Sequence, residues 1–289
     1  MPTKVEKDEI TGTEMTGHEW DGIKELDTPL PKWWIYVFYA TIVWSFAYYV
    51  FYPSWPTLSG HLPGALGYSQ RAELAERIAA EQARRGPFLD RIRAAAFADA
   101  RNTPDLMNFA IGGGRAVFAE NCAGCHGAGG GGTRGFPSLV DDDWLWGGDI
   151  ENIHKTIAYG VRNANDDARQ SQMPRFGVDG LLNAAQIADT AEFVLSLSGA
   201  SNDRAAIDRG ARLYGENCAA CHGEKGEGNQ ELGSPRLDDK IWLFGGDRAS
   251  VIQSIYYSRG GQMPAWSERL DDATVKMLAI YVHSLGGGK

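Results

Sequence analysis

One short pattern occurs twice in this chain of 289 residues: CAGCH at residues 122–126 and CAACH at residues 218–222. Two thiols three residues apart, followed directly by a histidine, are the attachment signature of a c-type haem. In such a site both thiols bind the porphyrin and the histidine ligates the iron. The chain has four cysteines, so none is left to complete a four-thiolate zinc or iron-sulfur site. The pattern predicts two covalently bound haem c groups, and therefore an electron-transfer function. The predicted attachment residues are Cys122, Cys125, Cys218 and Cys221.

The two motifs lie within an internal repeat. Residues 114–126 align with residues 210–222 without a gap, and WLWGGD at 144–149 aligns with WLFGGD at 242–247. Each copy has apolar residues at helical spacing. We expect a mostly α protein with two small helical haem domains, at residues 103–200 and 201–289. The predicted helices are 109–121, 150–159 and 184–197 in the first copy, and 204–217, 248–257 and 272–285 in the second.

The iron ligands follow partly from the motif and partly from the repeat. His126 and His222 are predicted proximal ligands. For the sixth positions we predict Met173 and Met263, because each stands in a Gln-Met-Pro sequence at the matching place in its copy. A thioether ligand raises the potential of a haem, and the matched context outweighs the usual role of methionine as core filler. The sequence favours a sequential pairing of each methionine with the histidine of its own copy, and leaves the crossed pairing open.

Two further features concern the surroundings of the iron. Pro137 and Pro235 occupy matching positions, and we expect their carbonyl oxygens to accept from the ring N–H of the proximal histidines. The alternative is that both are ordinary turn prolines. His154 would allow a first haem with two histidine ligands, but its counterpart in the second copy is Ile252, so we expect a surface histidine.

Residues 33–52 form a run of 20 residues without a charge, which as a helix extends about 30 Å and matches a bilayer core. Tryptophan and tyrosine lie at its two ends, as in the interfacial belts of membrane helices. A cleaved signal peptide would have a basic leader and a shorter apolar run. We therefore expect one transmembrane helix. Lys24 and Lys32 precede the run, whereas the first Lys or Arg after it is Arg71, which favours a cytoplasmic amino terminus.

The remaining segments are less specific. We expect residues 1–32 to be a weakly ordered cytoplasmic tail, and residues 53–102 to be a helical connector that is broken near Gly86-Pro87. The net charge is −9, and residues 103–200 hold 12 acidic against six basic side chains. This surface argues against nucleic acid as a partner. It suits a basic protein partner, although an acidic surface also simply aids solubility.

The sequence DGIKELDTPLPKWW at 21–34, the anchor ending in YPSWP at 52–56 and the two tandem haem domains together resemble the dihaem CcoP/FixP subunit, subunit III, of cbb3-type cytochrome c oxidases. One departure is Asp27-Thr28, where the family's asparagine would be expected. The resemblance implies class I cytochrome c domains on the periplasmic side of a bacterial inner membrane. It also implies electron acceptance from a cytochrome c or the cytochrome bc1 complex. Electrons would then pass through a monohaem cytochrome c subunit to the haem-copper catalytic subunit, where the oxygen chemistry would occur.

Other functions share the two haem motifs. One is an independent membrane-anchored dihaem electron carrier that serves another respiratory complex. Another is a dihaem peroxidase or a gas-sensing haem module, both of which need an iron with an open or labile sixth position. A matched methionine in each copy argues against these last two.

Overall fold

The computed structural model describes residues 6–53 and 55–287, and the chain divides into two compact units, Met1–Ala83 and Arg84–Lys289. The first unit begins with an antiparallel hairpin of β1 (Met15–Trp20) and β2 (Ile23–Leu26). Helix α1 (Lys32–Phe51) follows, and then a second short hairpin of β3 (Pro56–Thr57) and β4 (Gly60–His61).

The first hairpin corrects the expectation of a weakly ordered tail. Asp21 and Gly22 connect the two strands with positive φ angles of 51° and 85°. A two-residue turn with both φ angles positive matches the right-handed twist of the strands it joins, and Asp-Gly is a preferred sequence for it. The signal was therefore present in the sequence.

Helix α1 confirms the helix predicted over 33–52 to within one residue at each end. It begins after Pro31, which lacks the N–H that a helix interior requires. None of its side chains is buried within the structure. Among the described residues it is the one helix long and apolar enough to cross a membrane.

Helix α2 (Gln70–Ala94) corrects the second expectation, because it continues through Gly86 and Pro87. The boundary between the two units falls inside this helix, between Ala83 and Arg84. After Pro87, the apolar side chains of Phe88, Leu89 and Ile92 pack in a core of the second unit. This burial offsets the cost of the proline, which is about 3 kcal/mol in a helix interior.

The second unit contains the helices that the repeat predicts, and those helices are confirmed, with α4 beginning five residues earlier than predicted. Their bounds are α3 (Phe97–Asn102), α4 (Pro104–Asn121), α5 (Ala123–His126), α6 (Ile150–Tyr159), α7 (Ala184–Leu197), α8 (Arg204–Asn217), α9 (Ala219–His222), α10 (Arg248–Tyr257) and α11 (Asp272–Ser284).

The helices of the second unit form two hydrophobic cores. The last helix of each copy packs in the core that contains the haem motif of the other copy. Helices α4 and α6 of the first copy pack on α11 from the second copy, whereas α8 and α10 of the second copy pack on α7 from the first. We call α4, α5, α6 and α11 lobe A, and α7, α8, α9 and α10 lobe B. The two cores therefore do not coincide with the predicted domains at 103–200 and 201–289, because each core contains helices from both copies.

Each lobe depends on a close helix crossing at a glycine. A Cβ atom at Gly114 would lie 2.5 Å from the carbonyl oxygen of Met277, and one at Gly210 would lie 2.0 Å from that of Asp189. One turn later, Phe118 contacts Tyr281 with ring centroids 5.4 Å apart, and Tyr214 contacts Phe193 at 4.9 Å. The glycine lets the backbones approach, and the aromatic pair fills the space beside it.

We expect Gly210→Ala to destabilise the protein by about 1–3 kcal/mol, because the added methyl group overlaps backbone that has to move. Denaturant unfolding of the full-length, haem-loaded protein measures this change. Gly215→Ala is the matched control: it lies in the same helix with nothing within 4 Å of its Cβ position, and the aligned residue in the first copy is Ala119. Alanine at an open helical site stabilises by up to about 1 kcal/mol. Equal unfolding midpoints for the two variants would contradict the close crossing.

Candidate haem sites

Each CxxCH motif forms a single helical turn at the end of a longer helix. Cys122 ends α4, and Ala123–His126 form α5; Cys218 and α9 repeat this arrangement after α8. The ring nitrogen Nδ1 of His126 lies 2.9 Å from the carbonyl oxygen of Pro137, and that of His222 lies 3.0 Å from the carbonyl oxygen of Pro235. The predicted contact is thus confirmed in both copies. With Nδ1 engaged, Nε2 is the nitrogen left to ligate iron.

Burial sets the protonation of the side chains in the two motifs. Burial raises the pKa of the Cys122 and Cys218 thiols to about 11, whereas Cys125 and Cys221 are exposed. Burial also lowers the pKa of His126 and His222, although the proline carbonyls act in the opposite sense. The imidazoles are therefore neutral at neutral pH, the form that ligates a metal. Within 6–53 and 55–287, no group of three or more His, Cys, Asp or Glu side chains is placed to hold a metal ion by itself. The donor set fits an iron that a porphyrin holds.

The two methionines lie in the opposite lobes to those the sequence favours. Met263 packs on the core of lobe A, as do Cys122 and Ala123 of the first motif. Met173 packs on the core of lobe B, which includes Cys218 of the second motif. This packing favours the crossed pairing over the sequential one. Its physical reason is that each methionine precedes the last helix of its copy, and these helices are exchanged.

Backbone and side-chain hydrogen bonds hold the chain where it crosses between lobes. The backbone groups of Val161 and Met263 exchange two hydrogen bonds, of 2.9 and 3.0 Å. Asn163 donates to the carbonyl oxygen of Met263 at 2.7 Å, and Arg162 donates to that of Gly261 at 2.7 Å. On the other side, the hydroxyl of Ser258 donates to the carbonyl oxygen of Met173 at 2.5 Å. The two crossing segments therefore position both methionines.

His154 is half-buried rather than on the surface as expected. Its ring meets Phe97 edge-on with centroids 5.4 Å apart, in a cavity that Arg93, Asp272 and Lys276 also line. Burial, and the positive charge of Lys276, lower the pKa of His154. These neighbours belong to α2, α3 and α11, so the structure accounts for the residue without an iron.

Arg169 and Arg259 are site residues that sequence reasoning missed. Each lies four residues before its methionine, so that both copies read Arg-x-x-Gln-Met-Pro. The Arg169 guanidinium lies over the Trp146 ring, 5.2 Å from its centroid, and that of Arg259 lies 4.8 Å from the Phe244 centroid. An alignment of the two copies backward from the methionines would have revealed the pair.

Trp146 and Phe244 also join the two lobes. A Cβ atom at Gly233, beside the second haem motif, would lie 2.2 Å from Trp146, and one at Gly135, beside the first, would lie 3.4 Å from Phe244. The Gly135 N–H donates to the carbonyl oxygen of Leu243 at 2.8 Å. Each aromatic residue thus packs on the loop that carries the histidine-orienting proline of the other copy.

Acidic loops from the two copies lie close enough for their charges to interact. Asp141, Asp142 and Asp143 follow the first haem loop, and Asp238 and Asp239 occupy the corresponding loop of the second copy. Burial raises the pKa of Asp143 to about 6, and the negative charges of Asp239, Asp141 and Asp238 add to this effect, whereas Arg236, which pairs with Asp238 and Asp239, acts in the opposite sense. The sequence indicates the acidic character of residues 103–200, whereas the proximity of this loop to that of the second copy appears only in the fold.

Comparison with known proteins gives matches along the whole chain. Residues 12–59 match the family described as the N-terminal domain of cytochrome oxidase-cbb3, FixP. Residues 112–198 match cytochrome c, and residues 205–282 match cytochrome c oxidase, cbb3-type, subunit III. A CcoP subunit from Azospirillum brasilense is 52% identical over 98% of this chain and 99% of its own length. A FixP subunit from Bradyrhizobium diazoefficiens is 49% identical, and a CcoP subunit from Cereibacter sphaeroides 47%, each over the full length of both chains.

This chain belongs to the CcoP/FixP family of cbb3-type cytochrome c oxidase subunits. Membership confirms the resemblance and the prediction of a membrane-anchored cytochrome c with two covalently bound haem c groups. It also confirms the fold class, with one amino-terminal apolar helix and two cytochrome c domains. As a CcoP/FixP subunit, the chain works in a complex with other subunits of the oxidase.

Proposed function

We propose that this subunit accepts electrons from a cytochrome c or the cytochrome bc1 complex and passes them, through the monohaem cytochrome c subunit, to the haem-copper catalytic subunit. Each bound haem c supplies an iron that changes by one electron between its ferric and ferrous states. The observation that carries the proposal is the presence of a histidine and a methionine in each lobe, since two closed sites favour electron transfer over oxygen or peroxide chemistry.

The exchanged helices support one assignment of the iron ligands. His126 and Met263 would ligate the iron of the haem whose porphyrin is attached at Cys122 and Cys125, and His222 and Met173 would ligate that of the haem attached at Cys218 and Cys221. The placement of each methionine on the core that carries the motif of the other copy supports this crossed assignment. The haem domains that the sequence places at 103–200 and 201–289 would then each depend on a ligand from the other.

The proposed topology has the amino-terminal tail in the cytoplasm and the haem lobes in the periplasm of a bacterial inner membrane. Lys24 before α1 and Lys32 at its first position, with no Lys or Arg between α1 and Arg71, support it. Protease added to spheroplasts should remove a carboxy-terminal tag, and protection of that tag would reverse the orientation.

Purification of the membrane complex through a tag on this chain tests the function itself. We expect b-type haem, copper and oxygen consumption with reduced cytochrome c to accompany the c haems in a pyridine haemochrome assay. Recovery of c haem alone, at two per chain and without copper, would instead identify an independent dihaem carrier.

The crossed ligation predicts which haem each methionine affects. Removing Cys122 as Cys122→Ser leaves one vinyl group on the first haem, and this group shifts the absorption of that haem to longer wavelength. In this background Met263→Ala should lower the potential of the shifted haem, and Met173→Ala that of the unshifted one, because a thioether ligand raises haem potential. Spectroelectrochemical titration measures the potentials of the two haems separately, because they absorb at different wavelengths.

The reversed pattern would mean sequential ligation, and unchanged potentials would mean that the methionines are not ligands. Cys218→Ser provides the matched background, in which the two methionine variants should exchange their effects. A pyridine haemochrome measurement of two c haems per chain is the control that attachment is intact.

The acidic loops predict how the electron donor docks. The clustered carboxylates of Asp141, Asp142 and Asp143 favour a basic cytochrome c, and this attraction weakens with salt. The triple change to asparagine should raise KM for cytochrome c several-fold at low salt, with kcat unchanged and a flatter salt dependence. Because the pKa of Asp143 is about 6, its contribution should appear above that pH and fade below it.

The control for the donor experiment is a triple asparagine variant of Asp203, Asp208 and Glu216, which removes equal charge from α8 and its cap. An unchanged salt dependence in the acidic-loop variant, or an equal change in both variants, would remove these loops from the docking proposal.

A further inference from the structure

Arg169 and Arg259 occupy equivalent places that the two copies build from equivalent residues. Arg169 donates to Thr156 at 2.9 Å and to Asn152 at 2.5 Å, both on α6. Arg259 donates to the hydroxyl of Ser254 at 2.6 Å and to the carbonyl oxygen of Ser250, both on α10. The aligned partners, together with the aromatic rings beneath the guanidinium groups, show that one arrangement has been duplicated.

Both arginines are half-buried cations without a carboxylate partner. Among the described residues, neither guanidinium forms an ion pair with an aspartate or glutamate. The charge of Asp149 acts on Arg169 and that of Asp247 acts on Arg259, but each aspartate caps its own helix by accepting from the N–H three residues on. Burial lowers the pKa of both arginines, and the neighbouring positive charge of Arg134 lowers that of Arg259 further.

A half-buried guanidinium usually has an anion beside it, because removing its charge from water without one is costly. In lobe B the positive charge of Arg134 makes an anion beside Arg259 still more favourable. Arg134 donates to the Phe244 carbonyl oxygen and to the Ser250 hydroxyl, both at 3.2 Å. The sites recur wherever the haem motif recurs, so the missing anion should arrive with the cofactor. Haem c brings two propionate carboxylates, and a planar guanidinium pairs well with a carboxylate.

We propose that Arg169 and Arg259 bind haem propionates, Arg169 in lobe A and Arg259 in lobe B, and thereby raise the potentials of the two haems. A fixed positive charge beside the macrocycle favours the reduced, less positive iron. This inference concerns the cofactor and needs only the two haems, so it does not depend on the identity of the electron donor or acceptor.

The position of each arginine also connects the two haem sites. The side chain of Arg169 donates a hydrogen bond to α6 of lobe A. Four residues later in the chain, Met173 packs on the core of lobe B. Arg259 makes the converse connection from α10 of lobe B to Met263 on the core of lobe A. Each arginine therefore connects the proposed propionate contact of one haem site to the methionine that packs in the other lobe.

Spectroelectrochemical titration of the purified complex tests the proposal with Arg169→Gln and Arg259→Gln. Each variant should lower the midpoint potential of one c haem, by roughly a tenfold change in its reduction equilibrium, which is about 59 mV for one electron. The midpoint potential of the same haem should depend more strongly on pH between about pH 6 and 8, because a propionate that loses its cation has a higher pKa. Pyridine haemochrome analysis should still give two c haems per chain.

Two comparisons separate charge from structure. Arg169→Lys and Arg259→Lys keep the charge and should retain most of the native potential, even if the glutamine variants fold poorly. Arg212→Gln removes an exposed charge on α8 and should leave both potentials unchanged. If the glutamine variants match Arg212→Gln, or if lysine and glutamine lower the potential equally, the arginines do not act through a propionate and the proposal is wrong.

Discussion

The packing of each motif-bearing helix on the last helix of the other copy is the interaction on which the haem region depends. Helices α4 and α11 meet at Gly114, and α7 and α8 meet at Gly210, where the backbones are too close for any larger residue. Because of these two helix crossings, the chain has to pass between the lobes twice. The chain passes from lobe A to lobe B after α6 and returns after α10, and the paired backbone of Val161 and Met263 fixes the return. No contiguous half of the haem region contains a complete core.

The sequence could not decide between the two pairings, because the copies are too alike at the positions that pack. Both last helices present the same apolar pattern, and both motif-bearing helices offer a glycine followed by an aromatic residue. The difference lies in how the aromatics combine. The crossed fold pairs Phe118 with Tyr281 and Tyr214 with Phe193, so that each pair has one phenylalanine and one tyrosine. The sequential fold would bring two phenylalanines together in one lobe and two tyrosines in the other, which leaves two hydroxyl groups to satisfy in a single core.

What could be predicted was local or strongly periodic. The attachment motifs, the carbonyl partners of the histidines, the anchor helix and the six repeat helices each follow from a few neighbouring residues. The hairpin at Asp21-Gly22 was predictable as well, since its turn signal is equally local. Helix α2 was not, because the burial of Phe88, Leu89 and Ile92 that carries it past Pro87 comes from other parts of the chain. The arginines required a comparison of the two copies rather than of either one alone.

The exchange of helices makes the two haem sites one physical unit. In a sequential fold, one domain could loosen while the other kept both its histidine and its methionine. Here, opening of α11 would withdraw Met263 from the lobe that carries His126, and would also strain the segment that places Arg259 on lobe B. Aromatic contacts across the lobes tie the histidine loops together in the same way, through Trp146 and Phe244. Each copy thus supplies the last helix of the other copy's core. This exchange holds the two haem sites together for electron transfer without a larger core.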